Sequence, residues 1–175
     1  MEQPNLDDPF YERLLTFLSA SNGETDRGRA LVAASLIEEM LEEVLRAFLL
    51  EGAATKNLFD AANAPLSTLS AKASASRALG LISIEEFRDV ELVRKIRNEF
   101  AHNVLCSFEN PKVRDWARAL SVGMSILDSL DEGDESRVDN PKARFGMVTM
   151  SIVSSLYNRA HYAKKEKLRE RVWPA

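Results

Sequence analysis

Residues 26 to 49 read DRGRALVAASLIEEMLEEVLRAFL, and this stretch decides the fold. Ile37, Leu41, Val44 and Phe48 recur at spacings of 4, 3 and 4. That is the repeat of one face of an α-helix. Leu45 and Leu49 widen the apolar stripe, and Glu38, Glu39, Glu42 and Glu43 occupy the other side. The four glutamates, with no histidine beside them, read as a solvated face rather than a carboxylate site. Thr25 or Asp26 can cap the helix, which is predicted to run to about Glu51 and stop at Gly52.

The pattern continues on both sides. Upstream, Leu14, Leu15, Phe17 and Leu18 give an apolar side to a short helix over about Pro9 to Ala20, followed by a turn at SNGETDRG. Downstream, GAATKNLFDAANAP reads as a long loop of mixed polarity, and loops of that length are often functional. A helix over about Leu66 to Leu79 follows, with Gly80 as its C′ residue. Ser83 and Glu86 form a capping-box pattern that opens a helix over about Ile84 to Asn103. Asn-Pro-Lys occurs at 110–112 and again at 140–142, an N-cap followed by proline in the first turn. Helices over about Pro111 to Leu130 and Pro141 to Arg171 are therefore expected, separated by the turn DEGDESRVD. No hairpin, repeat or linker breaks the series. The expectation is an all-α fold, one compact bundle of about six helices spanning residues 1–175.

Bulk composition agrees. The 175 residues hold only 7 glycines and 6 prolines, with 45% apolar and 29% charged residues. Few helix breakers over long periodic segments favour helices. The single cysteine, Cys106, excludes an intramolecular disulfide and points to a reducing, cytoplasmic setting. MEQPNLDDPF lacks the basic and apolar regions of a signal peptide. No apolar run approaches the ~20 residues that span a bilayer, so no membrane association is expected. Two histidines and one cysteine at 102, 161 and 106 give no zinc pattern, and no phosphate-cradling glycine loop is present. No cofactor or metal is expected.

The net charge is −4, which argues against a broad basic surface for duplex DNA. No helix-turn-helix is recognisable either. The charge is uneven. Six Lys or Arg and two Glu lie between Arg159 and Arg171, a local balance of +4 against −8 elsewhere. NRAHYAKKEKLRERVW, residues 158–173, mixes these cations with Tyr162 and Trp173. Lys164, Lys165, Lys167, Arg169 and Arg171 are candidate single-stranded nucleic-acid contacts, since aromatic rings stack on bases and cations hold phosphates. The plainer reading is a solvated amphipathic helix with Leu156, Ala160, Ala163 and Leu168 inward. Met147 and Met150, in GMVTMSIVSSLY, read as core or a dimer face.

RNEFAH, residues 97–102, carries the most distinctive chemistry. At about 100° per residue, Leu92, Val93, Ile96 and Phe100 share an arc of about 100°, the core face. His102 falls nearly opposite, with Glu91, Lys95 and Asn98. Asn98 and His102 are i,i+4 neighbours. Arg97 sits about 140° from His102, at the margin of the core face. The plain expectation is a boundary arginine that packs its stem and pairs with a carboxylate, and an exposed histidine near a helix C-terminus. The alternative is catalytic: Arg97 holds a phosphate, His102 moves a proton and Asn98 orients, as metal-independent RNA cleavage requires.

The Arg-Asn-x-x-x-His segment resembles the motif of the HEPN superfamily. That resemblance implies a dimeric ribonuclease, often a toxin or defence effector, with Arg97, Asn98 and His102 lining a cleft between two subunits. A longer resemblance is carried by residues 26–49, by LFDAANAPLSTLSAKASASRALGLIS, by EFRDVELVRKIRNEFAH and by SFENPKVRD, in that order. Together they resemble the mannitol operon repressor family over about Asp26 to Asp115. This implies an all-α fold and a regulatory role, exercised through a protein partner or nucleic acid. The final 60 residues lie outside the resemblance. A homodimer is expected on either reading, and whether the protein is an enzyme stays open.

Overall fold

The computed structural model describes residues 24–124 and 140–174. These residues form six α-helices and no β-strand: α1 (Asp26–Phe48), α2 (Ala53–Asp60), α3 (Leu69–Ala78), α4 (Ile84–His102), α5 (Pro111–Arg118) and α6 (Pro141–Lys165). The fold is all-α, as the periodicity predicts. The expected helix over 9–20 and the turn over 131–139 lie outside the described residues.

α1 is the central element. It packs most extensively on α6 and also carries α3 and α4. Thr25 caps it, its hydroxyl accepting from the Gly28 amide at 3.1 Å. The buried stripe starts with Ala30, Ala33 and Ala34, then continues with Ile37, Met40, Leu41, Val44 and Leu45. The buried side chains are small in the first half and mostly large in the second. One hydrophobic core joins all six helices. Phe100, Phe108 and Phe145 stack through it with centroids 5.2 Å apart at each step. Each fully buried ring contributes about 1.5–3 kcal/mol. No helix among the described residues is long and apolar enough to cross a membrane.

Local signals predict the helix starts well. Both halves of the Ser83–Glu86 capping box are present, at 3.1 and 2.7 Å. Asn110 accepts from the Lys112 amide and Asn140 from the Ala143 amide. α3 begins at Leu69, three residues later than expected, because the Thr68 hydroxyl caps the Ala71 amide. It ends in a Schellman motif: Leu81 N–H donates to Ser76 C=O, Gly80 N–H donates to Arg77 C=O, and Gly80 takes φ +72°.

Three expectations need correction. GAATKNLFDAANAP is not wholly a loop, since Ala53–Asp60 is helical. Phe59 is buried there, and Arg46 holds α2 to α1 by lying 4.3 Å from the Phe59 centroid and pairing with Asp60. Two adjacent apolar residues leave no periodic trace, so this helix is made by tertiary contact. α5 was expected to reach Leu130, yet it closes at Arg118. Buried Asp89 on α4 captures the Ser121 and Val122 amides at 2.8 and 2.7 Å, and Gly123 turns the chain at φ +77°. Residues 125–130 lie outside the described residues. α6 was expected to reach Arg171, yet it ends at Lys165. There the Leu168 amide donates to Phe48 C=O at 2.8 Å, satisfying a carbonyl that the end of α1 leaves open.

Candidate functional site

α4 presents its core face as the wheel predicts. Val93, Ile96 and Phe100 are buried and Leu92 is partly buried. Arg94, Arg97 and Asn98 lie on the flank of that face. They line a polar cleft of about 420 Å³ together with Ser35 and Glu38 of α1 and Thr68 and Ser70 at the start of α3. The Arg97 guanidinium donates to Asn98 Oδ1 at 3.0 Å. It is exposed and pairs with an amide rather than a carboxylate, so the expected boundary ion pair is corrected. Arg94 does make one, to Glu91 at 2.7 Å, and Ser70 donates to the same carboxylate.

Glu38, which lines this cleft, also belongs to an ion-pair cluster that sequence reasoning missed. Lys72 of α3 is buried, and its Nζ lies 3.0 Å from Glu38 and 2.9 Å from Glu42. Burial works against the Glu42 and Lys72 charges. The Lys72 and Arg46 hydrogen bonds nevertheless hold the Glu42 carboxyl below its usual range, and the two glutamates hold the Lys72 ammonium above its own. The glutamates of α1 are therefore not simply a solvated face. The signal was available: Leu69, Lys72, Ala73 and Ser76 follow a helical repeat, and all four are buried.

The structure brings Arg97 and Asn98 together but does not bring His102 to their cleft. His102 is exposed in the last turn of α4. The turn after it is pinned. Asn103 Oδ1 accepts from the Leu105 amide at 3.2 Å, and Asn103 C=O accepts from the Cys106 amide. Arg27 donates to Ala101 C=O, and the Phe108 amide donates to Asp26, which also pairs with Lys142 at 2.8 Å. On this fixed turn Val104 is 78% exposed and Leu105 93%.

The candidate basic residues divide. Lys164, Lys165, Arg169 and Arg171 are exposed, whereas Lys167 pairs with Glu51. Arg159 is drawn into the fold, bridging Glu86 at 2.8 and 2.9 Å and donating to Leu81 C=O. Leu156 and Ala163 are buried as a solvated helix requires, but Leu168 lies beyond the helix and is exposed.

No family model and no curated protein matches the chain. Among solved structures it is similar to a chain of the MtlR–HPr complex from Escherichia coli. The match is 22% identical, covers 86% of this chain and 98% of that one, and has a TM-score of 0.59. At that identity the likeness shows a shared fold.

Proposed function

We propose that this chain is a regulator of the mannitol operon repressor type, acting by docking a protein partner. The observation that carries this reading is the fold shared, over nearly the whole of both chains, with MtlR solved in complex with HPr. The ordered sequence blocks over about Asp26 to Asp115 support it from a separate direction. The charge supports it too, since a net −4 disfavours direct repression through duplex DNA. The Val104–Leu105 turn suits such contact, because two large apolar side chains stand exposed on backbone that is already fixed. Ordering it on binding costs little.

Calorimetric titration with Escherichia coli HPr tests the reading, with MtlR of that complex as positive control. Saturable one-to-one binding by this chain is expected, weakened at least tenfold by Leu105→Asp. Absence of binding by the wild type, with the control binding, refutes an HPr partner. Unchanged binding by Leu105→Asp moves the contact away from this turn. Among the described residues His102 does not share the cleft of Arg97 and Asn98, so the ribonuclease reading would need a second subunit to complete its site.

A further inference from the structure

The end of α6 and the arm beyond it carry an uncommon combination. Tyr162 is 63% exposed and Trp173 75%. Between them stand Lys164, Lys165, Arg169 and Arg171, all exposed and in no ion pair among the described residues. The two cations of this region that the fold consumes are Arg159, held by Glu86, and Lys167, held by Glu51. Both large rings stand open to solvent beside these cations instead of in the core.

We propose that Tyr162 to Trp173 is a binding surface for single-stranded nucleic acid, in which Tyr162 and Trp173 stack on bases and the four free cations hold phosphates. Three features argue for this ligand. An aromatic ring can reach the face of a base only where the bases are unpaired, so two exposed rings suit a single strand and are wasted on a duplex. Tyr162 is already part of a cationic stack, with Lys165 Nζ 5.4 Å from its centroid and the His161 ring edge-on at 5.8 Å. A phosphate beside a base stacked there meets the ammonium at once. The arm is also tethered near its middle, by Lys167 to Glu51 and by the Leu168 amide to Phe48 C=O. Tethering lowers the ordering cost of binding. Tyr162, Lys164 and Lys165 stand on the last turn of α6, and its end at Lys165 leaves Arg169, Arg171 and Trp173 on non-helical backbone beyond it.

Glu166 and Glu170 are exposed in the same segment and oppose the cations, so the affinity is modest and strongly salt-dependent. Four phosphate contacts give a slope of log K against log salt of about −2.8, from about −0.7 per contact on a single strand. The surface is independent of the Val104–Leu105 turn, and its test does not involve HPr.

The experiment is fluorescence anisotropy of the full chain with labelled oligo-U RNA and oligo-dT DNA of 12 nucleotides, at several salt concentrations. Saturable binding to either probe is expected, with the salt slope above, and the comparison of the two tells RNA from DNA. Tyr162→Ala and Trp173→Ala should each weaken it by about 5- to 150-fold, the range for loss of one stacked base. Both side chains are exposed, so these variants fold, and unchanged circular dichroism checks it. A second measurement follows quenching of Trp173 in a Trp116→Phe chain, which leaves Trp173 as the sole tryptophan. No binding at low salt overturns the proposal. So does binding that both alanine variants retain, which would make it charge alone. Equal affinity for duplex DNA or for acidic phospholipid vesicles overturns it as well.

Discussion

Replacing Asp89 tests why α5 stops where it does. Asp89 is 1% exposed. Its Oδ2 accepts the Ser121 and Val122 amides at 2.8 and 2.7 Å, and its Oδ1 faces the Ser121 hydroxyl at 3.5 Å. Burial raises its pKa above the usual aspartate value; the hydrogen bonds and the nearby Arg144 charge oppose that shift without cancelling it. Asp89→Ala leaves two main-chain donors with no acceptor. Each hydrogen bond to a charged acceptor contributes about 1.5–3 kcal/mol, and Ser121 is exposed enough for water to recover part of that. A loss of about 3 kcal/mol is expected. With a urea m-value of about 2 kcal/mol/M, the midpoint falls by roughly 1.5 M. Asp89→Asn keeps an oxygen for both amides and turns its NH2 to the Ser121 hydroxyl, so it should stay within about 1 kcal/mol. The pH dependence has a definite sign. A folded pKa above the unfolded one gives stability that is fully present below the unfolded pKa and is lost as pH rises through the folded one. The wild type should therefore lose ground to Asp89→Asn as pH climbs from below 3.8 through the raised value, and the gap should then stay constant towards neutrality. Urea titrations of the three proteins from about pH 3 to 7 measure all of this. An Asp89→Ala chain as stable as wild type refutes the argument, and so does a gap that moves the other way with pH.

Other predictions follow from the same geometry. Lys72→Met leaves Glu38 and Glu42 facing each other one turn apart and should cost about 1–2 kcal/mol at pH 7, reduced because both carboxylates are partly exposed. The pair's contribution is lost as pH falls through the depressed Glu42 pKa, below 4.5, and as pH rises through the raised Lys72 pKa, above 10.5, so the difference from wild type should vanish in acid. Gly80→Ala and Gly123→Ala both force a side chain onto positive φ, but only at Gly123 would the new Cβ lie 2.4 Å from Ser151 Oγ. Thermal melts should show a loss of about 1 kcal/mol for the first and at least about 2 for the second; equal losses would show that the contact is relieved freely. Wild type and His102→Ala, incubated with RNA in chelator, should both stay at background cleavage; cleavage that depends on His102 would overturn the regulator reading in favour of the enzyme.

The residues differ in how legible they were. Thr25, Ser83 with Glu86, Asn110 and Asn140 were readable because a cap acts on amides two or three positions away. The core face of α4 was readable because burial there follows one period. Lys72 obeyed the same period and was overlooked because lysine is seldom buried, although its neighbours Leu69, Ala73 and Ser76 marked the face. The helical period set Asn98 beside His102 and Arg97 apart from both, whereas Arg97 and Asn98 meet in a cleft that α1 and α3 also build.

By itself the sequence determined the class of fold and where α1, α4, α5 and α6 begin, since helical period and capping are set within a few residues of chain. Only the tertiary structure decided where α5 and α6 end and that α2 exists. Those boundaries depend on Asp89 meeting the Ser121 amide, on Phe48 C=O meeting Leu168 and on Arg46 covering Phe59. Each contact joins residues at least 13 positions apart, beyond the reach of any local pattern. Tyr162 and Trp173, by contrast, stand exposed at the end of α6 and beyond it.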